Sequence, residues 1–313
     1  MVFVMSREYN KVAVVTGSST GIGFETCLAL ARNGFLTCAT MRDLRKSDEI
    51  RNIALKENIP IRVFEMNVDD DHSVNMSMRK IENEYGRVDV LVNNAGYGLF
   101  GALEDFTMNE IKKQFETNVF GMVRVIQNVL PTMRQQGGGI IINISSMSGL
   151  AGIPSQSVYS GTKFAVEGIS EALSFELEPF GIKMVLIEPG VINTEFAQDL
   201  VVPANKYEVD KNGYCNKQFI DDNNKKDVRL SFYNDTMKKF LTFYFNAMSK
   251  APHPRVVADE IIHSIEIVSK ESNHIINPIL RITVGNDSKK YSMLKKDFTD
   301  NEFHTLLKND LLN

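Results

Sequence analysis

The sequence predicts a doubly wound α/β fold with a parallel β-sheet, and two observations predict it. Short apolar runs alternate with longer amphipathic segments over roughly the first 190 residues, as in successive βαβ units. A glycine-rich turn at residues 16–23 stands between the first apolar run and the first amphipathic segment. No stretch of this region has the composition of a linker, so we expect all 313 residues to form one domain.

The predicted strands are short apolar runs bounded by turn residues. The first, Val-Ala-Val-Val, is apolar at every position, which indicates burial on both faces of the sheet. Strands are expected at residues 12–15, 35–41, 61–66, 88–93, 140–145, 183–187 and 279–284.

The predicted helices carry recognisable end signals. Gly34 is placed to stop the first helix after Asn33, and Pro60 closes the second. Thr107-Met-Asn-Glu110 is a capping-box pattern, which opens a long helix. Helices are expected from the glycine turn to residue 33 and at 44–58, 70–85, 107–137, 158–180 and 255–270.

The pattern changes after Pro189. Residues 200–230 are polar and rich in Asn, Asp and Lys without periodicity, whereas residues 232–248 are rich in aromatic residues and patterned as a helix. Segments of this length are usually lids, binding loops or disordered. We therefore expect residues 195–250 to form a helical substrate lid inserted near the C-terminus. The aromatic stripe at 232–248 has two other interpretations, helix core or an oligomer contact, and both stay open here.

Composition excludes several classes of function. The chain is 43% apolar and 24% charged with a net charge of −4, so neither nucleic acid nor anionic membrane is expected as a partner. Its cysteines, Cys27, Cys38 and Cys215, match no metal spacing and no disulfide framework, and we expect no metal. We see neither a signal-peptide pattern nor an apolar stretch of spanning length, and we expect a cytoplasmic protein.

The glycine-rich turn predicts a dinucleotide site. Thr16-Gly-Ser-Ser-Thr-Gly21-Ile-Gly23 has the spacing T-G-x-x-x-G-I-G, not the G-x-G-x-x-G of larger dehydrogenases. Glycines let the backbone turn tightly and let a pyrophosphate approach the N-terminus of the next helix, where free N–H groups favour anions. A turn of this kind after the first strand is typical of a Rossmann-type fold.

Further motifs make the chain resemble the short-chain dehydrogenase/reductase family. Ser146 lies thirteen residues before Tyr159, and Lys163 four after it, which is the family's order and spacing. The likeness is strong over about residues 10–195 and looser to about 290, where it looks like the steroid- and retinol-dehydrogenase-like members. The motifs are Asn93-Asn-Ala-Gly96, Asn118, Ser146, Tyr159-x-x-x-Lys163, Pro189-Gly190 and Val284-Gly-Asn-Asp287.

The resemblance implies a catalytic set of Asn118, Ser146, Tyr159 and Lys163. Tyr159 and Lys163 are four residues apart, so both project from one face of a helix. A free tyrosine has a pKa of about 10. We expect the ammonium of Lys163, together with the positive nicotinamide of an oxidised cofactor, to lower it and to make Tyr159 the proton donor in reduction and the acceptor in oxidation.

Ser146 is expected to hold the substrate oxygen against Tyr159, with Ser145 as the alternative that the family spacing disfavours. By resemblance, Asn118 bends its helix locally and holds a water that links to Lys163. Lys163 has a second implied task, which is bonding the ribose of the nicotinamide half.

The resemblance also implies a cofactor site built from separate loops. Asn93, Ala95 and Gly96 are expected along the adenosine side, and the segment after Pro189 under the nicotinamide. The implied cofactor-binding residues are Gly17, Ser18, Ser19, Gly21, Ile22, Gly23, Arg42, Asn67, Val68, Asn94, Ala95, Gly96, Tyr159, Lys163, Pro189, Gly190, Ile192 and Thr194.

The end of the second strand favours NADP(H), while NAD(H) stays possible. Met41 stands where NAD-dependent proteins place an acid, and Arg42 follows, a cation suited to a 2′-phosphate. Ser18 is expected to add a hydroxyl contact. A register slip of one residue would place Asp43 differently and reopen the choice of NAD(H). Asn67 stands where the family commonly has Asp for the adenine, with Asp69 as the alternative.

The substrate is expected to be bulky and apolar, such as a steroid, a retinoid or a long-chain alcohol or aldehyde, with Phe100, Met147 and Phe196 as walls. A 3-oxoacyl reductase-like enzyme is one alternative, which the long lid disfavours. A non-catalytic dinucleotide-sensing protein is another, which the complete catalytic set disfavours. By family likeness, the helices beginning near Thr107 and Val158 form the interface of a homodimer or homotetramer.

Overall fold

A computed structural model shows the fold and describes residues 10–197, 200–203, 206–207, 231–270 and 279–312. Its strands pair in parallel throughout and form one seven-stranded sheet. The strands are β1 (Val12–Val15), β2 (Leu36–Met41), β3 (Ile61–Glu65), β4 (Val90–Asn93), β5 (Gly139–Ile144), β6 (Ile182–Pro189) and β7 (Ile279–Val284). Their order is β3-β2-β1-β4-β5-β6-β7. Strands β2 and β3 are added on one side of β1, and strands from β4 onward are added on its other side. Open α/β sheets bind ligands at this switch point, between β1 and β4.

Helices cover both faces of the sheet and the region beyond its carboxyl edge. A π-helical turn, Glu116–Phe120, joins two of them into one long element. The helices are α1 (Gly21–Arg32), α2 (Asp48–Glu57), α3 (Asp71–Tyr85), α4 (Met108–Phe115), α5 (Gly121–Gln135), α6 (Ser157–Leu177), α7 (Asn234–Lys250), α8 (Arg255–Lys270), α9 (Asn286–Asp297) and α10 (Asp300–Leu312).

Alternate residues of β1 point into two different apolar cores. Val12 and Val14 join side chains of α3, α5 and α6, whereas Ala13 and Val15 join side chains of α1 and α8. Burial on both faces explains why this strand is apolar at every position. The predicted fold, a Rossmann-type parallel sheet between two helical layers in a single domain, is confirmed.

A third apolar cluster lies beyond the carboxyl edge of the sheet. It brings Phe100 and Tyr159 together with buried residues of α7, α9 and α10. The predicted helix at 232–248 is present as α7, whose buried side chains include Phe240 and Tyr244. Much of the expected lid, residues 208–230, lies outside the described residues.

Several element boundaries differ from the sequence predictions. The predicted helix at 44–58 is a 3₁₀ turn, Leu44–Lys46, followed by α2, because the carboxylate of Asp43 caps the turn at the N–H of Arg45. The predicted single helix at 107–137 is interrupted by the π-helical turn. Helices α9 and α10 were not predicted. In α9 the buried side chains are only those of Ser288 and Tyr291, so its apolar periodicity is weak.

Among the helices that the structure describes, none is both long and apolar enough to span a membrane.

Candidate active site

The glycine turn between β1 and α1 leaves room for a ligand. Gly17 and Gly21 have φ values of +63° and +59°, a conformation that only glycine adopts readily. A Cβ on Gly17 would lie 2.8 Å from the Cα of Ala95. Thr20 precedes α1 and makes no side-chain cap hydrogen bond, so the first N–H groups of α1 are free to bind an anion.

Asn94, which directly follows the neighbouring strand β4, holds this turn in place. Its Nδ2 donates to the main-chain oxygens of Thr16 at 3.0 Å and Gly17 at 2.9 Å. Its own N–H and that of Ala95 donate to the Thr16 hydroxyl at 3.0 and 3.1 Å. The loops after β1 and β4 are therefore one rigid unit at the switch point of the sheet.

A cavity of about 590 Å³ opens over the carboxyl edge of the sheet and contains most of the predicted site. Catalytic candidates Ser146, Tyr159 and Lys163 line it. The predicted cofactor residues that line it are Gly17, Ser19, Gly21, Ile22, Arg42, Asn67, Val68, Asn94, Ala95, Gly96, Pro189, Gly190, Ile192 and Thr194.

Three of the predicted cofactor contacts do not line the cavity. The hydroxyl of Ser18 is fully buried and donates to the main-chain oxygen of Thr40 at 3.0 Å, so it supports the turn and does not face a 2′-phosphate. Gly23 lies under the turn, where a Cβ would be 2.4 Å from the oxygen of Gly17. Asn93 is buried and donates to the side chain of Asn143 at 2.8 Å, because consecutive strand residues face opposite sides.

Arg42 is an exposed cation that lines the cavity, as Lys113 also does. Met41, at the position of the usual acid, ends β2 and is buried in the core. The exposed side chain of Arg42 makes no hydrogen bond or ion pair with the residues that the structure describes, whereas Asp43 pairs with Arg45 at 2.8 Å. The register slip that would bring Asp43 to the rim does not occur.

At the far end of the cavity, Asn67 and Asp69 both line the wall. The Asn67 side-chain oxygen accepts from the N–H of Asp69 at 3.3 Å, and the carboxylate of Asp69 accepts from the hydroxyl of Thr117 at 3.1 Å. The Asn67 side-chain nitrogen has no hydrogen bond to another described group, whereas the side-chain oxygen is engaged by the N–H of Asp69.

Tyr159 is buried at the centre of the cavity wall and is hydrogen-bonded to the side chain of Ser146. Burial raises its pKa to about 12, and the bond to Ser146 opposes that rise only in part. The cost of burying a phenolate is the largest effect on this pKa, so Tyr159 is a neutral phenol at physiological pH. The lowering that we expect from Lys163 together with an oxidised nicotinamide stays a prediction.

Lys163 lies beside Tyr159, with its Nζ 5.6 Å from the ring centroid. The Nζ donates to the main-chain oxygen of Ile144, at the end of β5, at 2.8 Å. Burial lowers the pKa of Lys163 to about 8, and the charge of Glu167 opposes this. The lysine is therefore close to its titration point at neutral pH.

The structure separates the two candidate serines. Ser146 faces Tyr159, and its Oγ also accepts from the N–H of Ser148 at 3.1 Å. The Oγ of Ser145 is buried and faces the carboxylate of Glu167, whose pKa it lowers. Adjacent residues leaving a strand point in opposite directions, so only one of them reaches the tyrosine.

Asn118 lies behind the cavity in the π-helical turn. Its side chain accepts from the N–H of Tyr97 at 3.0 Å and donates to the oxygen of the same residue at 3.0 Å. It also donates to the hydroxyl of Thr162 at 3.2 Å. Asn118 thus ties the loop after β4 to α6, one residue before Lys163.

Aromatic side chains form the other wall of the cavity. Tyr159 packs edge-on against Phe100 and Phe196, with centroid separations of 5.7 and 5.9 Å. Phe100 also packs against Tyr244 at 5.1 Å. Phe100, Met147 and Phe196 were predicted here. Phe240, Phe243 and Tyr244, from the aromatic stripe expected to cover the substrate, line the cavity as well, whereas the sequence prediction missed Leu311.

Asp287 is a supporting residue that sequence reasoning missed. Its carboxylate accepts from the N–H of Val191 at 2.7 Å, and a Cβ on Gly190 would collide with it. The loop after β6, expected to pass under a nicotinamide, is therefore fastened to α9. Asp287 belongs to the Val284-Gly-Asn-Asp287 stretch that the sequence analysis noted. Nothing within that stretch indicates that its carboxylate bonds the loop after β6.

The residues of the cavity fit a nicotinamide dinucleotide. The glycine turn and the free N-terminus of α1 suit a pyrophosphate, Arg42 suits a phosphate at the rim, and Lys163 with Tyr159 suits a ribose and a reacting carbonyl. In the described part of the chain, no group of three or more His, Cys, Asp or Glu side chains is placed to hold a metal ion.

Comparison with known proteins agrees with this geometry. The family model for short chain dehydrogenases matches residues 11–203. An uncharacterized oxidoreductase of Bacillus subtilis, YusZ, is 36% identical over 308 residues, covering 96% of this chain and 98% of that protein. A 3-ketodihydrosphingosine reductase of Bacteroides thetaiotaomicron is 42% identical over 189 residues (60% of this chain, 66% of that protein), and human retinol dehydrogenase 8 is 38% identical over 202 residues (63% and 64%).

Solved structures show the same architecture. A short-chain dehydrogenase from Streptomyces avermitilis superposes with a TM-score of 0.72 at 27% identity, covering 95% of this chain and 97% of that one. ElxO with NADP bound has a TM-score of 0.64 at 28% identity, covering 87% and 97%. This chain belongs to the short-chain dehydrogenase/reductase family and is an NAD(P)-dependent oxidoreductase, similar to its retinol- and steroid-dehydrogenase members.

Proposed function

We propose that this enzyme reduces the carbonyl group of a bulky apolar substrate with NADPH and catalyses the reverse oxidation of the secondary alcohol with NADP. The observation that carries the proposal is the course of one cavity, which runs from Arg42 at the rim, past the Tyr159 hydroxyl, to the aromatic wall of α7. A cation, a proton donor and an apolar wall thus face one space.

Tyr159 is the proton donor in this proposal. When bound, a dihydronicotinamide supplies the hydride that adds to the carbonyl carbon. The phenol of Tyr159 then gives its proton to the substrate oxygen, and Ser146 holds that oxygen in place. Burial supports this assignment because it keeps the phenol protonated until the oxygen becomes basic enough to take the proton.

Lys163 stabilises the phenolate that forms when Tyr159 loses its proton. Its ammonium is fixed by the oxygen of Ile144, so its charge is positioned before the reaction begins. The loop that includes Val191, fastened by Asp287, orients the nicotinamide half so that one ring face meets the substrate.

Preference for NADP(H) is supported by Arg42 and Asp43. Arg42 has no protein partner among the described residues, while the carboxylate of Asp43 is occupied by Arg45 and does not line the cavity. A bidentate cation at the rim suits a 2′-phosphate, and a carboxylate there would repel it. The bound NADP of the similar protein ElxO agrees with this assignment.

An apolar substrate is supported by the side chains that face Tyr159. Phe100, Phe196 and Tyr244 present ring edges and faces to the same space, and Leu311 closes it from α10. Burial of apolar surface against such a wall is the dominant source of affinity for a ligand of this kind. The two relatives named for a ketodihydrosphingosine and for retinol agree with this substrate class.

A homodimer or homotetramer, formed through the outer faces of α5 and α6, is also proposed. Phe120, Phe164 and Phe175 are large apolar side chains left exposed on or next to these helices. Light scattering on the purified protein measures the mass directly, and a monomer at micromolar concentration would contradict this part of the proposal.

The test is a panel of ketones, aldehydes and sterols offered with NADPH and with NADH, followed by loss of absorbance of the reduced cofactor. We expect turnover with apolar ketones or aldehydes, faster with NADPH, and none with the Tyr159→Phe variant. Turnover confined to small polar carbonyls would overturn the substrate class. No turnover of any carbonyl or alcohol, with intact cofactor binding, would overturn the enzymatic proposal.

A further inference from the structure

A group of charged side chains lies behind Lys163, away from the cavity. Glu167 is on α6, one turn after Lys163, and Glu188 is on the adjacent strand β6. Their exposed fractions are 7% and 2%. Arg281 on β7 lies between them and the solvent, with its side chain 36% exposed. Of these two buried carboxylates, Glu167 is the one that lies a single helical turn from the lysine that serves Tyr159.

One guanidinium is shared among three carboxylates in this group. The Nε of Arg281 is 3.3 Å from the Oε2 of Glu167 and 3.7 Å from the Oε1 of Glu188. One terminal nitrogen of Arg281 is 2.6 Å from the exposed Glu171. The Oε1 atoms of Glu167 and Glu188 are buried and hydrogen-bonded to no described group.

Arg281 alone does not balance this buried negative charge. Moving a carboxylate out of water is unfavourable unless a well-placed opposite charge compensates for the lost hydration. A structural tie between α6 and β7 needs only one carboxylate, and the exposed Glu171 already forms the shortest bond to Arg281. A further cation, Lys163, lies four residues before Glu167 on the same helix face.

We infer that Glu167 is a positioning residue for the reaction: held by Arg281, its carboxylate keeps the buried Lys163 in its charged form. The inference rests on the proposed function, in which Lys163 must be an ammonium to stabilise the phenolate of Tyr159. Glu167 touches neither the substrate nor the cofactor and acts only through Lys163.

The charges that face this group come from several elements. Burial raises the pKa of Glu167, and the hydroxyl of Ser145, Arg281 of β7 and the charge of Lys163 of α6 oppose this rise. Burial, and then the charge of Glu167, raise the pKa of Glu188 to about 7. Lys296 of α9 acts on Glu188 in the opposite direction.

The sign of the effect on Lys163 follows from these charges. Burial lowers the pKa of Lys163 to about 8, and the negative charge of Glu167 raises it. Removing that charge lowers the pKa further, so Lys163 loses its proton at a lower pH. The ammonium is present below the pKa and is lost as the pH rises through it.

The first test measures Lys163 itself and needs no substrate. NMR of the protein labelled with ¹³C at lysine Cε follows the titration of each lysine, and loss of one signal in Lys163→Arg assigns the resonance. We expect Glu167→Gln to lower the midpoint of Lys163 by about one pH unit. Glu171→Gln, which removes the exposed partner of the same arginine, is the matched control and leaves the midpoint unchanged. An equal midpoint in Glu167→Gln and the native protein would overturn the inference.

Two further variants keep the test decisive. Glu167→Asp retains the charge, so the midpoint returns toward the native value. If Glu167→Gln fails to fold because Arg281 then lacks its partner, the double variant Glu167→Gln with Arg281→Gln removes both charges together. It is expected to show the same lowered midpoint, and a native midpoint in it would also overturn the inference.

The second test separates this inference from the proposed function. The upper pH limit of kcat/KM for carbonyl reduction is expected to fall with the NMR midpoint in Glu167→Gln and to stay in place in Glu171→Gln. If the native enzyme reduces no carbonyl, the proposed function fails while the NMR midpoint still decides the role of Glu167. If the native enzyme reduces a carbonyl but the upper pH limits of the native enzyme and of Glu167→Gln coincide, the proposed function stands and the inference about Glu167 fails.

Discussion

The carboxylate of Asp287 accepts a hydrogen bond of 2.7 Å from the main-chain N–H of Val191, across 96 residues of sequence. Asp287 lies in the first turn of α9 and Val191 in the loop after β6, and the same carboxylate fills the space beside Gly190. A charged hydrogen bond to the main chain fixes a loop without obstructing the cavity side of it.

Asp287→Ala is expected to lower kcat/KM for carbonyl reduction by about tenfold, the cost of one hydrogen bond to a charged group. The loop would sample other positions, so the nicotinamide half would be oriented less often for transfer. Steady-state kinetics at varied NADPH measures the change. Asp297→Ala, which alters an exposed acid at the end of the same helix, is the control, and equal effects in the two variants would contradict the role given to Asp287.

Arg42 is expected to decide the cofactor preference. Arg42→Ala should weaken NADPH binding by about tenfold or more and leave NADH binding nearly unchanged, because only NADPH carries the 2′-phosphate. Arg42→Asp should reverse the preference. Calorimetry gives both dissociation constants, since the chain has no tryptophan to quench. Lys46→Ala is a matched loss of charge nearby, and a preference that survives Arg42→Asp would refute the assignment.

Tyr159→Phe is expected to reduce kcat by about a thousandfold or more, because the hydroxyl is the proton donor. NADPH affinity should change little, and the apolar packing against Phe100 and Phe196 is kept. Tyr85→Phe removes a hydroxyl that bonds Glu84 far from the cavity and serves as the control. Substantial turnover by Tyr159→Phe would show that another group moves the proton.

The rate of carbonyl reduction is expected to be level below pH 8 and to fall above it. The pKa of Lys163 is lowered to about 8, so its ammonium is lost as the pH rises through that value, whereas Tyr159, at about 12, stays protonated. The kcat/KM profile from pH 6 to pH 10 measures this limit. Lys163→Arg should be less active and lack the limit, because arginine keeps its charge. If the fall of kcat/KM above pH 8 persists in Lys163→Arg, it is caused by the titration of another group.

Asn118→Ala is expected to destabilise the protein by about 1–3 kcal/mol, since it leaves the half-buried N–H of Tyr97 without its partner and removes one of the two donors to the oxygen of Tyr97. It should also lower kcat, because the loop after β4 loses its tie to α6. Urea unfolding and steady-state kinetics give the two values. Asn128→Ala removes a hydrogen bond to the oxygen of Arg124 on the neighbouring helix turn, and it is expected to cost less and to spare kcat.

Much of the fold could be predicted because its signals are local. An apolar run such as Val12–Val15 and a glycine turn such as residues 16–23 each limit the backbone without reference to distant residues. Prediction failed where a local pattern was ambiguous, as at residues 44–58, where Asp43 caps a 3₁₀ turn, and in α9, where few apolar residues mark the buried face. The π-helical turn came to light only through the family likeness of Asn118.

For the site, sequence spacing singled out Ser146, Tyr159 and Lys163, which the structure places in one cavity. Spacing could not tell which way neighbouring side chains point. Ser18 and Asn93 were expected at the cofactor and are instead buried below it, at hydrogen bonds to Thr40 and Asn143. The direction of each side chain depends on how its strand pairs with its neighbours, and that pairing exists only in the folded sheet.

The sequence by itself determined the parallel α/β fold and the position of the dinucleotide turn, since each follows from short-range patterns of apolar, glycine and polar residues. The proposed acid–base pair followed from the family likeness of its motifs. Only the tertiary structure decided the surroundings of that pair. Asp287 beside Val191, Leu311 in the cavity wall and Glu167 with Arg281 behind Lys163 join segments far apart in the chain. Burial and charge depend on all neighbours at once, so the pKa values of Tyr159 and Lys163 appear only when those segments meet.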